Sequence, residues 1–234
     1  MLVPKIKDLK NLEHCNKEKN IIKIDNIDEV VELYTPIDIN NAKEVSKLVK
    51  QIESLVRRSP EYTEFIRCLK QNFDITSCIF HPDVNIAEVK HAKIEFHHYP
   101  FTLYDIVYTV LSKHLEQSTI INPYVVSEEV MLLHYQLKVG LVPLSKTMHE
   151  LAHAGKKFIN LSYVTQSYLK FISEYSRWIS PELIMNWHNL QDLSKKEDEG
   201  ELEEDNILEE VELVVDMGIE KPAAVETSLD QDLA

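Results

Sequence analysis

Two pairs of histidines have the types and spacings that could do chemistry. His149 and His153 stand four apart in LSKTMHELAH, residues 144–153. On a helix, that spacing puts both imidazoles on one face about one turn apart, where they can grip a divalent ion from two points. His97 and His98 are adjacent in KIEFHHYP, residues 93–100. If this segment is a strand, Glu95, His97 and Tyr99 share one face while Ile94, Phe96 and His98 share the other. One imidazole could then ligate a metal while its neighbour, with an ordinary pKa of about 6.5, deprotonates a water near neutral pH.

The letters His149-Glu150-Leu151-Ala152-His153 also spell H-E-x-x-H, the signature of zinc proteases. In that chemistry Glu150 is the general base and a third ligand follows, a place Glu174 could take 21 residues after His153. Such helices run about two turns before the motif, whereas Pro143 and Ser145 put His149 in a first turn. The protease reading also leaves His97-His98 without a role.

Helices must position most of these residues. Asn40/Asn41 offer an N-cap to a run with Val45, Leu48, Val49, Ile52, Leu55 and Val56 at helical spacing. Ser59-Pro60-Glu61 then opens a second helix. From Phe73 the pattern changes to two short β-type runs, DITSCIFHPDV and HAKIEFHHYP, joined by a loop around Pro82 to Asn85. Helices follow over 102–117 and 127–140, capped by Thr102 and Ser127, with Gly140 closing the second. LVPL, a cap at Ser145, the helix of His149 and His153 up to Ala154-Gly155, and two more amphipathic helices complete the pattern.

Composition bounds the rest. The 234 residues are 44% hydrophobic, enough for a real core. Their net charge of -14 comes from the end of the chain, because residues 1–196 hold 24 basic against 24 acidic side chains. Residues 197–234 hold 15 acids and one lysine, Lys221, a composition expected to form a disordered tail. Three cysteines without a C-x-x-C pair argue against a disulfide framework and against a cysteine zinc knuckle. No apolar run has the length of a membrane span or signal core, so a soluble cytoplasmic protein with no membrane partner is expected.

IEFHHYPF followed by GLVPLSKTMHELAHAGK resembles the HNH, or His-Me finger, endonucleases, in particular their colicin-type variant with a doubled histidine and H-x-x-x-H. The longer phrase HHYPFTLYDIV resembles phage-encoded HNH-like proteins, for which the compartment would be the host cytoplasm. The resemblance spans roughly residues 90–157 and implies a ββα-metal finger. By it, His97, His149 and His153 would hold one divalent ion (Mg²⁺, Mn²⁺, Ni²⁺ or Zn²⁺), His98 would be the general base, and the substrate would be nucleic acid, DNA first. Lys93, Lys146, Lys156 and Lys157 flank this site and are candidate phosphate contacts. The sequence departs from the family pattern in two ways. Gly140 stands where an Asn usually pins the loop, and an insertion of two helices, 101–140, separates the two halves of the motif.

The expected fold is α+β, mostly helical around a ββα-metal core. Its parts are an N-terminal segment and helical pair (1–72), the finger with its insertion (73–157), C-terminal helices (158–196) and the acidic tail (197–234). The expected function is metal-dependent phosphodiester hydrolysis. The alternatives are a non-catalytic phage protein that keeps the finger as a binding or structural module, and a metalloprotease.

Overall fold

The computed structural model describes residues 35–83 and 93–200. The first 34 residues of the expected N-terminal segment, part of the loop expected around Pro82 to Asn85, and residues 201–234 of the expected tail lie outside these. A two-residue strand β1 (Thr35–Pro36) leads into α1 (Ala42–Arg58), where the Asn41 side chain accepts from the Glu44 N–H. Val45, Leu48, Val49, Ile52 and Val56 form the buried stripe of α1. Ser59 ends α1 and caps α2 (Pro60–Asn72), with Pro60 in the first turn, where a missing N–H leaves nothing unsatisfied.

Strand β2 (Ile94–His98) follows, then α3 (Leu103–Gln117), opened by a reciprocal capping box between Thr102 and Asp105. Next come β3 (Ile120–Ile121), which pairs with β1, and α4 (Pro123–Tyr135). Here the expected boundaries fail at both ends. Asn122 caps α4 with Pro123 in its first turn, four residues before the expected start, and Ser127 only bonds back to the Tyr124 carbonyl. The helix stops at Tyr135 rather than at Gly140, because Leu137 takes a positive φ of 54° and the Leu137 and Lys138 N–H groups close on His134 and Leu133.

Strand β4 (Leu141–Ser145) pairs antiparallel with β2, in a register of His97 opposite Val142 and His98 opposite Leu141. Ser145 caps α5 (Lys146–His153) without an intervening loop. The DITSCIF run forms no strand of its own and reaches the sheet through the Ile79 N–H, which donates to the Pro143 carbonyl at 3.0 Å. After a 3₁₀ turn at Leu161–Tyr163 come α6 (Tyr168–Tyr175) and α7 (Pro181–Asp198). Helix α7 runs into what composition assigns to the tail, and Glu197 and Asp198 accept from the buried Asn160 amide. Cys78 is a buried thiol.

The architecture is therefore mixed α and β and dominated by helix. One hydrophobic core joins α1, α2, α3, α4 and α6, so the helical pair and the insertion are packed together rather than forming separate units. Phe96 and Leu141 bring β2 and β4 into that core, and a smaller cluster of Val142, Leu144 and Ile159 lies on the other side of the strands.

Gly140 sits where the strand pair begins. The Tyr99 N–H donates to the Gly140 carbonyl at 3.1 Å, and a Cβ built on Gly140 would meet the Tyr99 carbonyl oxygen at 1.9 Å and Val164 Cγ1 at 2.9 Å. No side chain fits there without moving backbone. The pinning is done from downstream, where the Thr165 N–H and hydroxyl both donate to the Leu141 carbonyl, at 3.0 and 2.8 Å. Gly140→Asn, which would introduce the residue usual in HNH proteins, should therefore destabilise by about 3 kcal/mol. A chain of this size would lose roughly 6–12 °C in Tm. An unchanged melting temperature would refute the close approach.

Candidate functional site

Alternation along β2 divides the two adjacent histidines. Glu95 and His97 point toward α5, and His97 meets His149 and His153 with ring centroids 5.2 and 4.8 Å away. The ligand nitrogens of these three residues lie within 4.8 Å of one another, the one such group of His, Cys, Asp or Glu among the described residues. His97 is buried, His149 half-buried and His153 exposed, so the cluster opens to solvent on the helix side.

The donor set is already oriented. His149 Nδ1 lies 2.6 Å from Glu95 Oε2, which keeps the proton on Nδ1 and leaves Nε2 as the bare nitrogen. That Nε2 is 3.2 Å from His153 Nε2. A tetrahedral ion bound at roughly 2.0–2.1 Å separates its ligand nitrogens by about 3.3 Å, so these two are spaced as a bound metal requires. His97 brings a third imidazole nitrogen within 4.8 Å of these two, and three such donors are the kind that suit a divalent ion favouring imidazole. Burial, helped by the neighbouring histidines and Arg57, lowers the His97 pKa to about 3, and burial also lowers that of His153. Both are therefore neutral at neutral pH, the state that ligation needs.

His98 points the other way, into the core. Its Nε2 lies 3.0 Å from Nε2 of His134 on α4, and His134 Nδ1 lies 2.7 Å from the Val130 carbonyl. A carbonyl only accepts, so the His134 proton is on Nδ1 and its Nε2 accepts from His98 Nε2–H. Neutral His98 is thereby left with Nδ1 as its unprotonated nitrogen. Tyr62 of α2 stacks on the His98 ring at 6.3 Å with a 13° tilt, and Phe65 meets His134 edge-on. Burial drives His98 well below the ordinary imidazole range and His134 down to about 4. The sequence-based expectation of an unperturbed base near 6.5 is thus corrected by desolvation.

A cavity of about 350 Å³ lies over these residues. His97 and His98 line it from β2, His149 and His153 from α5, and Arg57, Tyr62 and Lys70 from α1 and α2. Lys93, Lys146, Lys156 and Lys157 do not line it. Lys146 stands 3.9 Å from Glu150 on the exposed face of α5, Lys157 lies over the Phe80 ring, and Lys93 and Lys156 are exposed. Glu174 is 2.6 Å from Lys138 and takes no part in the histidine cluster, so the third residue beside His149 and His153 is His97.

From the sequence, Arg57 reads as a cation at a helix end that needs no ligand, His134 as one more histidine on a helix, and Glu95 as a strand neighbour of His97 with no role, while Lys70 carries no signal. The signal for Glu95 was its place two residues before His97 on the same strand face. For His134, it was a lone imidazole in the apolar run VMLLHY.

The buried pair makes stability depend on acid. Unfolded, His98 and His134 titrate near 6.5; folded, both values are lower. The unfolded chain therefore binds more protons between about pH 6.5 and 4. Stability is complete above that window and falls as pH falls through it, by about 2 kcal/mol per histidine at pH 5. Urea midpoints at pH 7.5 and pH 5 should show the loss. His134→Leu should lower the midpoint at pH 7.5, because the His98 N–H loses its acceptor at a cost of about 1–3 kcal/mol, and should flatten the acid dependence. Equal midpoints at the two pH values in the wild type would count against a neutral buried pair.

The chain matches the model of the bacteriophage G278-like virion protein family over residues 1–221. No curated protein and no solved structure matches it. Among the described residues no helix is long and apolar enough to cross a membrane. With nearly its whole length under one family model, the chain is of phage origin and belongs to the bacteriophage G278-like virion proteins.

Proposed function

We propose that this virion protein binds one divalent metal ion through His97, His149 and His153 and hydrolyses nucleic-acid phosphodiester bonds in the cavity above them, with His98 as general base. The observation that carries this reading is the three-histidine cluster, brought together from β2 and α5 with Glu95 fixing the His149 tautomer. The strand, strand, helix order of β2, β4 and α5 agrees with the His-Me finger resemblance. Three imidazole ligands suit Zn²⁺ or Ni²⁺ better than Mg²⁺, which prefers oxygen ligands. When bound, the ion would act as a Lewis acid on phosphate oxygens.

The chain's own groups supply the rest. His98 Nδ1 can take a proton, and the imidazolium so formed keeps its Nε2–H bond to His134, which holds the ring in place. Its low pKa makes it a weak base on its own. An anionic phosphate placed beside it favours the protonated form and raises its basicity where the proton is taken up. Glu150, on the outer face of α5, has no part in this chemistry.

A second reading is favoured by a different observation. Burial of His98 against Tyr62 and His134 is also how a core histidine is held, and membership of a virion protein family fits a metal-held module that binds within the particle without catalysis.

Metal titration and plasmid nicking separate the two. His97→Ala and His149→Ala should lose both the ion and cleavage, and Glu95→Gln should weaken metal affinity by about 10–100-fold. His98→Ala should keep the ion and lose about 10²-fold or more in cleavage rate, while Glu150→Gln leaves it intact. Undiminished cleavage by His98→Ala would remove the assigned base. A wild type that binds metal but nicks nothing with Mg²⁺, Mn²⁺, Ni²⁺ or Zn²⁺ would establish the non-catalytic module.

A further inference from the structure

The cavity over the histidines is walled on one side by the helical pair, which lies outside the region resembling His-Me fingers. Two residues bring positive charge there, Arg57 in the last turn of α1 and Lys70 in the last turn of α2. Glu53 Oε1 accepts from both Nε and Nη2 of Arg57, at 3.1 and 2.9 Å, which holds the guanidinium at the cavity lip. The Lys70 ammonium stands 6.0 Å from the Phe96 ring centroid and is partly buried, which lowers its pKa. Helix C-termini favour cations in general, but that alone does not turn two of them, from two helices, into one cavity.

Two carboxylates stand against Arg57 and Lys70: Glu53, which accepts from Arg57 at 2.9 Å, and Glu95, which lines the cavity and lies 2.6 Å from His149 Nδ1. A divalent ion on the histidines would add two further positive charges. Cations crowded into a space of about 350 Å³ repel unless an anion lies between them. The arrangement suits an occupant that is negative and has several acceptor oxygens, which guanidinium and ammonium can share.

We infer that Arg57 and Lys70 hold a phosphate of a nucleic-acid strand over the three histidines, so that the helical pair and the ββα unit form one phosphodiester-binding cleft. The inference rests on the phosphodiester reading for its substrate class. It assigns the phosphate contacts to the helical pair instead of to Lys93, Lys146, Lys156 and Lys157. The tight packing of α1 and α2 against the insertion then acquires a purpose, because it fixes two cations opposite β2 and α5.

The test uses the full chain and a short fluorescein-labelled single-stranded DNA, in EDTA to prevent cleavage, with anisotropy read across a series of NaCl concentrations. Arg57→Met and Lys70→Met should each weaken binding about tenfold at low salt and reduce the slope of log affinity against log salt by about 0.7, as expected for one lost phosphate contact. Lys70→Arg should retain most of the affinity, and Lys146→Met and Lys156→Met should change neither quantity. Thermal melts confirm that each variant folds; the Arg57 side chain is about half exposed, with a relative accessibility of 51%, so its removal leaves no hole. Unchanged affinity and slope in Arg57→Met and Lys70→Met would overturn the inference, as would an equal loss in the Lys146 control. The two readings fail differently. Cleavage by the wild type that persists undiminished in both variants removes the phosphate seat and keeps the nuclease, while lost binding in the variants of a protein that cleaves nothing keeps the seat and removes the catalysis.

Discussion

Side-chain alternation along the five residues of β2, pinned by its antiparallel pairing with β4, is the constraint on which the site depends. With His97 opposite Val142, the odd residues Glu95 and His97 face α5 and the even residues Phe96 and His98 face the helical core. A slip of one residue would exchange the two sets, burying Glu95 against Phe65 and Tyr62 and turning His98 toward solvent. The register is held by apolar groups on both sides of the sheet, Phe96 and Leu141 in the large core and Val142 and Leu144 in the small one. Two adjacent imidazoles thereby acquire opposite environments without any residue leaving ordinary strand geometry.

The local parts of this arrangement were legible in the sequence because they are local chemistry. Asn41, Ser59, Thr102 and Ser145 cap the helices expected of them, and the four-residue spacing of His149 and His153 does put them on one side of α5. Alternation alone separated His97 from His98. Long-range features were not legible. His134 lies 36 residues from His98, and Arg57 lies 40 residues before His97, so no motif window contains either pair. The boundaries of α4 failed for a physical reason: Asn122-Pro123 is as good a start as Ser127, and Leu137 accepts a left-handed turn that a glycine was expected to make.

Gly140 shows how one residue can mean different things in sequence and in space. Beside the family pattern it looks like a lost asparagine, and hence a lost function. In the fold it is the point where two backbones approach too closely for a Cβ, and the work of pinning the strand falls to Thr165, 24 residues downstream of Leu141. The insertion has a similar character. Its two helices separate the halves of the motif in sequence, yet in space α4 supplies His134 and α3 and α4 complete the core against which β2 lies.

Burial and charge act on the two faces of β2 in opposite senses. Toward the core, His98 and His134 are kept neutral by desolvation and satisfied by a single directed chain of hydrogen bonds that ends on the Val130 carbonyl. Toward the cavity, His97, His149 and His153 stand together on the side walled by Lys70 and by Arg57, which Glu53 holds at the lip. A group buried for stability alone needs no cavity, and a cationic rim serves no purpose for a packed core. That both meet at one strand argues for a ligand with two kinds of atom to offer. In the proposed reading a phosphodiester would be that ligand, turning its anionic oxygens to Arg57 and Lys70 and to an ion that the three histidines would hold.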